Sequence, residues 1–217
     1  MRVSTRILLA DDHTMVRQGL REILEHDEEF EVVAEAESGL QAIEQAKAHR
    51  PHVAIMDIAM KELNGIEATA QMLKRWPEMA VLILSMYSDE RYVIRAVRAG
   101  ARGYLLKNSA GEELIRAVRA VQSGTAFFSP AVAKVFRDGF GRLKDPAETQ
   151  DPYDLLTDRE RQVYQLLAEG NCNKDIANRL DLSLHTVETH RWRIMEKMGL
   201  HGVADLVLSA VRRGLVT

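Results

Sequence analysis

Residues 1–123 alternate between two hydrophobic periods. Short apolar runs lie at Arg6-Ile7-Leu8-Leu9-Ala10, Phe30 to Ala34, Val53-Ala54-Ile55-Met56-Asp57, Ala80-Val81-Leu82-Ile83-Leu84-Ser85 and Gly103-Tyr104-Leu105-Leu106-Lys107. Continuous apolar runs of this length predict strands buried on both faces. Between them the period changes to that of a helix. Val16, Leu20, Ile23 and Leu24 form one stripe over 14–24. Leu40, Ile43 and Ala46 to Ala48 mark a helix capped by Ser38, and Ile66 and Leu73 mark one opened by Gly65 and stopped by Pro77. A fourth helix spans 89–99 and closes at Gly100. A fifth, with Ser109 as its cap, carries Leu114, Ile115, Val118 and Val121. Five β–α units in this length predict a five-stranded, doubly wound parallel sheet of order 2-1-3-4-5, an α/β fold with its ligand crevice between strands 1 and 3.

After residue 153 the period is helical throughout. Thr157 with Glu160 forms a capping box for a helix over 158–168, which Gly170 ends. Asn173 is the expected cap of 174–180, and Ser183 that of 184–198, which Gly199 ends; a fourth helix runs over 203–213. The short Asp181-Leu182-Ser183 connection predicts a helix-turn-helix. On the third helix Leu184, Val187, Ile194, Met195 and Met198 form the expected core stripe. His185, Thr189, Trp192, Arg193 and Glu196 lie opposite, with Thr186 and Glu188 at the edges. Between the two regions, Ser129 and Pro130 predict the start of a short helix with Val132, Val135 and Phe136, which Asp138-Gly139-Phe140-Gly141 breaks; 144–154 has linker composition. The expected domains are 1–123, 153–217, and a linker over 124–152.

Composition narrows this picture. The 217 residues are 46% hydrophobic and 28% charged, as in a soluble globular protein, and 217 residues allow two small domains. A net charge of −3 means that any nucleic-acid binding rests on a local surface. Residues 171–217 hold seven Lys or Arg against five Asp or Glu, with Lys174, Arg179, Arg191, Lys197, Arg212 and Arg213 available for phosphates. The single Cys172 permits no internal disulfide and fits a reducing compartment. No apolar run is long enough for a membrane span, and Ile7 to Ala10 is too short for a signal peptide, so a cytoplasmic protein is expected.

The strand ends carry the chemistry. Strand 1 runs into Asp11-Asp12, strand 3 into Asp57, strand 4 into Ser85 and strand 5 into Lys107. In the predicted sheet these converge in one crevice. Three like charges there require a cation, and hard oxygen ligands suit Mg²⁺. A carboxylate neutralised in this way can attack a phosphoryl group, while Ser85 and Lys107 hold its oxygens.

Asp11-Asp12, Asp57, Met60, Gly65, Ser85, Tyr104 and Lys107 resemble the receiver domain of bacterial response regulators. The resemblance implies that Asp57 is the phosphoacceptor. It also implies that Asp12, Asp57 and the Ala59 carbonyl bind Mg²⁺, with Asp11 acting mainly through water. Ser85 and Tyr104 would be a switch pair, the ring turning inwards on phosphorylation, and Lys107 would pair with the phosphoryl group. One position departs from the family pattern: Lys61 stands where a proline usually follows the methionine.

Leu156 to Glu160, Asn173 to Ala177, Ser183, Thr186-Val187, His190, Ile194 and Lys197-Met198-Gly199 resemble the LuxR-type helix-turn-helix. The resemblance implies phosphate contacts from Lys174, Thr186 and Lys197, and base contacts from outward residues of the third helix. Those are His185, Glu188, Thr189, Trp192 and Arg193, with His190 part core and part backbone contact. Glu188 repels phosphate and offers the acceptors that cytosine N4 requires. Gly202-Val203 replace the usual Ser-Arg. Val207, Ala210 and Val211 are either a dimer seam or core.

Together these predict a two-component transcriptional response regulator of the NarL/FixJ type. Its expected partners are a sensor histidine kinase and double-stranded DNA, and the phosphorylated form is expected to be a homodimer. An alternative is a phosphorylation-independent DNA-binding regulator whose receiver only dimerises. An aspartate-dependent phosphatase would need a second carboxylate where Ala59 stands, so no enzyme is expected.

Overall fold

A computed structural model describes residues 4–139 and 151–216. The elements from β1 to α6 form one compact unit and those from residue 152 onward another.

In the first unit the strands are β1 (Thr5–Ala10), β2 (Phe30–Ala36), β3 (Val53–Asp57), β4 (Ala80–Ser85), β5 (Gly103–Leu106) and β6 (Phe127–Phe128). All pair in parallel, in the order β2-β1-β3-β4-β5-β6. The expected five-strand order is present, and a sixth, two-residue strand extends it beside β5. The helices are α1 (Thr14–Glu25), α2 (Gly39–His49), α3 (Gly65–Arg75), α4 (Glu90–Arg98), α5 (Ala110–Gln122) and α6 (Pro130–Gly139). In the three central strands Ile7 to Ala10, Val53 to Met56 and Ala80 to Leu84 are buried, which is why these runs are apolar at every position. One sheet face, with Ile7, Leu9, Val53, Ile55, Leu82 and Leu84, packs on Leu20 and Leu24 of α1 and on Leu114, Ala117, Val118 and Val121 of α5.

Side-chain caps account for three helix starts. Ser38 accepts from the Gln41 N–H, Asn64 from those of Ile66 and Glu67, and Asp89 from that of Arg91. Ser109 does not cap α5: its hydroxyl donates to Asn108, because Lys107–Ser109 forms a tight 3-10 turn that leads into the helix. Helix α6 begins at Pro130 as expected but continues through Asp138 and Gly139. Phe140 and Gly141, and linker positions 144–150, lie outside the described residues.

The second unit contains a 3-10 turn (Pro152–Leu155) and α7 (Asp158–Ala168), α8 (Asn173–Leu180), α9 (Leu184–Met198) and α10 (Val203–Arg212). The Thr157–Glu160 capping box is formed. The cap of α8 is Cys172, with Asn173 already inside the helix, so the expected Asn173 cap is one residue late. Asp181, in the left-handed region at φ 51°, turns the chain between α8 and α9, and Ser183 caps α9. Val187 and Ile194 are fully buried, but Leu184, expected on the same stripe, is 49% exposed because it lies in the first turn, before the helix meets its neighbours. On α10, Ala210 is buried core while Val211 is exposed, which divides the expected seam.

Gly65 controls how closely α3 approaches β3. A Cβ at this position would stand 1.8 Å from the Asp57 carbonyl oxygen and 2.7 Å from Met56 Cγ. Such overlap cannot be relieved without parting α3 from the strand that carries Asp57. Gly65→Ala is expected to lower unfolding stability by about 3 kcal/mol, measured by urea denaturation.

Candidate functional site

Parallel registration places the strand ends together. Ala10 pairs with Met56, Asp57 with Leu84, and Ser85 with Leu106, so Asp11, Asp57, Ser85 and Lys107 emerge at one edge of the sheet. Asp11, Asp57 and Ser85 are buried. Lys107 Nζ lies 2.7 Å from Asp11 Oδ2 and 2.9 Å from Asp57 Oδ2, bridging the two carboxylates. The other oxygen of Asp57 accepts from its neighbour's backbone, Ile58 N–H, at 2.8 Å.

Electrostatics follow from this geometry. Burial pushes the Asp57 carboxyl up to about 6; Lys107 opposes the shift and Asp11 adds to it. Burial alone would lower the Lys107 pKa, but Asp57 and Asp11 outweigh it and hold the ammonium above its usual value. At neutral pH the pair is therefore carboxylate and ammonium.

Oxygen atoms of Asp11, Asp12 and Asp57 and a ring nitrogen of His13 all lie within 4.8 Å of one another. Asp11 Oδ2 and Asp12 Oδ1 are buried without an aligned hydrogen bond, although Lys107 and His13 respectively stand at 2.7 Å. Buried carboxylate oxygens left in this condition fit a hard divalent cation, so this cluster can hold Mg²⁺. Neither Asp11 nor Asp12 caps α1. The cap position is His13, and Asp11 Oδ1 accepts from the His13 N–H at 2.9 Å. Ala59 lies two residues beyond Asp57 in the β3–α3 loop, which turns at Glu62 with φ 65°, next to the exposed Lys61.

Tyr104 is fully buried, and its hydroxyl donates to the Tyr87 carbonyl at 2.6 Å. Tyr87 N–H donates in turn to Ser85 Oγ at 3.1 Å. The ring that the resemblance makes part of the switch pair stands inside in this structure. Burial raises the phenol's pKa, partly offset by a hydrogen bond with Ser85. Tyr87 stacks on Tyr92 of α4 with ring centroids 4.9 Å apart.

Sequence reasoning missed His13 and the partners of the Asp11 backbone. Arg17 Nη1 donates to the Asp11 carbonyl at 2.6 Å and is itself paired with Glu35 and Glu37. The available signal was an arginine aligned with Leu20 and Leu24, on the face of α1 that enters the core.

In the second unit, His185, Glu188, Trp192, Arg193 and Lys174 are exposed, Trp192 by 62%. Thr186 Oγ1 lies 2.8 Å from the capping Ser183 hydroxyl, and Thr189 donates to the His185 carbonyl. His190 is half-buried, and burial, with Arg159, Arg193 and Lys197 and against Glu160, lowers its pKa. Lys197 is engaged internally. Its Nζ lies 2.6 Å from Glu160 Oε2 and 3.1 Å from the Leu155 carbonyl, tying α9 to α7. Arg213 is paired with Asp151 and covers the Tyr153 ring.

The family model for the response regulator receiver domain matches residues 7–119. That for bacterial regulatory proteins of the luxR family matches residues 154–210. The chain belongs to the response regulators that join a receiver to a LuxR-type DNA-binding domain. Similar proteins include the oxygen regulatory protein NreC of Staphylococcus carnosus, 38% identical over 97% of this chain and 99% of that protein. NreC of Staphylococcus haemolyticus is 39% identical with the same coverage. Among solved structures, RcsB of Salmonella typhimurium superposes with TM-score 0.58 at 26% identity, covering 98% of this chain and 100% of that one. RcsB of Salmonella enterica serovar Typhimurium, bound to promoter DNA with the phosphomimetic BeF3−, does so at 0.60 and 27% identity, covering 96% and 100%. The protein is a two-component transcriptional response regulator. Among its described residues no helix is long and apolar enough to cross a membrane.

The Lys197–Glu160 pair yields a prediction. Burial would raise the Glu160 pKa, but Lys197 and the Thr157 cap outweigh it and the value falls below the usual 4.5. A depressed carboxylate pKa contributes stability that is present above the ordinary value and lost as pH falls through the lower folded one. Lys197→Met is expected to cost about 1–2 kcal/mol at neutral pH, since Lys197 is partly exposed and Glu160 keeps its cap bond. In denaturant titrations, that penalty should shrink below about pH 4.

Proposed function

We propose that this regulator is phosphorylated on Asp57 by a sensor histidine kinase, or by a small acyl phosphate, and that the phosphoryl group controls DNA binding by the second unit. The observation that carries this reading is the Lys107 ammonium bridging Asp11 and Asp57 at the shared edge of three strands. Asp57 is an ionised nucleophile at neutral pH. One of its oxygens forms the new P–O bond while the P–N bond of the donor phosphohistidine breaks, the electron pair leaving with the imidazole. Lys107, released from Asp57, then pairs with a phosphoryl oxygen, and Ser85 donates to another.

Asp12, Asp57 and the Ala59 carbonyl are the proposed Mg²⁺ ligands, with Asp11 acting mainly through water. When bound, Mg²⁺ offsets the charge of the carboxylates and of the incoming phosphoryl oxygens. Ser85 and Tyr104 are the proposed switch pair. Ser85 holds the Tyr87 N–H, and Tyr104 the Tyr87 carbonyl, so recruitment of Ser85 to a phosphoryl oxygen frees the β4–α4 turn to move. The chain is read as an acceptor and not as a hydrolytic enzyme, because a methyl group stands at Ala59, where a phosphatase would carry its general acid.

In the second unit, His185, Glu188, Thr189, Trp192 and Arg193 are the proposed base-reading residues of α9. Lys174 and Thr186 hold phosphates, with half-buried His190 beside them. Lys197 serves that surface through its charge and by fixing α9 on α7. The proposed domain division is 1–123, 124–152 and 153–217. A homodimer on paired half-sites is the proposed active form, and the cytoplasm the proposed location.

The test is DNA affinity at several salt concentrations, with and without BeF3−, on a sequence selected from a random pool. BeF3− should tighten binding by wild type and leave Asp57→Ala unchanged. An Asp57→Ala protein that binds DNA and dimerises like the BeF3−-loaded wild type would favour a receiver that only dimerises.

A further inference from the structure

Arg17 is 5% exposed, on the side of α1 that carries Leu20 and Leu24 into the core. A guanidinium so placed must be paired. Nη1 donates to the Asp11 carbonyl at 2.6 Å, Nε to Glu35 Oε2 at 3.1 Å and Nη2 to Glu37 Oε1 at 2.9 Å. Between the two glutamates, the Ala36 carbonyl accepts from the Asp11 N–H at 3.1 Å. The end of β2 therefore grips both sides of the Asp11 backbone: the N–H directly, and the carbonyl through Arg17.

None of these bonds touches a carboxylate of the cation site, yet all bear on where those carboxylates stand. Asp11 and Asp12 repel each other and Asp57. The shortest relief is for the β1–α1 turn to swing away from β3. A turn held by its main chain on both sides of Asp11 cannot move in this way. We propose that Arg17 is a positioning residue for the divalent-cation site, and that with Glu35 and Glu37 it keeps Asp11 and Asp12 converged on Asp57. The proposal rests on the reading of this cluster as the Mg²⁺ site. A planar fork spans one carbonyl and two carboxylates at once, whereas the single ammonium of lysine cannot.

Arg21 is a built-in control. It pairs with Glu35 at 2.7 Å and with Glu25 at 2.6 Å, sharing a partner with Arg17 without contacting Asp11 among the described interactions. Its loss weakens the same surface but leaves the β1–α1 turn gripped.

The experiment is calorimetric titration of Mg²⁺ into the full chain, with an unfolding curve for each variant. Arg17→Met and Arg17→Lys should bind Mg²⁺ about tenfold more weakly while still folded. Arg21→Met should lose stability yet bind Mg²⁺ as wild type does. Should Arg17→Met fail to fold, Glu37→Gln removes the more exposed anchor of the same arginine, and should weaken Mg²⁺ by a smaller factor. Folded Arg17 variants, or Glu37→Gln, with wild-type affinity overturn the proposal, as does an equal weakening by Arg21→Met. A wild-type chain that takes up no Mg²⁺ overturns the underlying reading of the site. Normal wild-type uptake with unaffected Arg17 variants overturns the positioning role alone.

Discussion

The first unit is arranged around charge repulsion held in place. Two buried carboxylates, Asp11 and Asp57, share one ammonium, with a third carboxylate, Asp12, adjacent. Like charges about 4 Å apart cost on the order of 4 kcal/mol near a protein surface, more than a surface ion pair returns. Lys107 offsets part of this; burial, with a smaller contribution from Asp11, still pushes the Asp57 carboxyl up to about 6. The surrounding structure resists the relaxation that would dissipate the strain. Strand pairing fixes Asp57, Gly65 lets α3 close on the carbonyl behind it, and Arg17 holds the Asp11 backbone. A crevice built in this way responds strongly to any change in charge. Addition of a phosphoryl group brings negative charge and strong acceptors into the reach of Lys107 and Ser85, and the hydrogen-bond chain from Ser85 through Tyr87 to Tyr104 lies next to it.

The second unit separates a buried core from an exposed helix face. Val187 and Ile194 bury one side of α9, and Lys197 with Glu160 ties its C-terminal half to α7. On the other side of its first three turns, His185, Glu188 and Trp192 face outward. Side chains on that face can change without loss of the core, which is how one helix-turn-helix frame accommodates different targets.

Much of this was legible in the sequence because the fold imposes simple patterns. The interior stretches of the central parallel strands are apolar, so β1, β3 and β4 appear as apolar runs, and the polar residues that end them mark the crevice. The two-residue β6 is too short to carry a period. Cys172 takes the cap position of α8 without bonding its backbone N–H groups through the side chain, so the usual cap chemistry did not distinguish it from Asn173. Leu184 fits the helical stripe but precedes the packed part of α9. The pairings of Lys197 with Glu160, and of Arg17 with Glu35 and Glu37, join separate elements, and local periodicity does not encode partners. Arg17 did leave a trace as a charge on an apolar stripe. Its position showed that a partner was required, not which one. Tyr104 was legible as a strand residue, but its hydroxyl's partner, the Tyr87 carbonyl, lies on another element.

The central claim is that Asp57 accepts a phosphoryl group in a crevice that depends on a divalent cation. The most direct measurement is chemical trapping of the acyl phosphate after incubation with acetyl phosphate, followed by peptide mapping. A single label on Asp57 that disappears when Mg²⁺ is chelated is the predicted result. Label on another residue, or label on Asp57 that is indifferent to chelation, would contradict it.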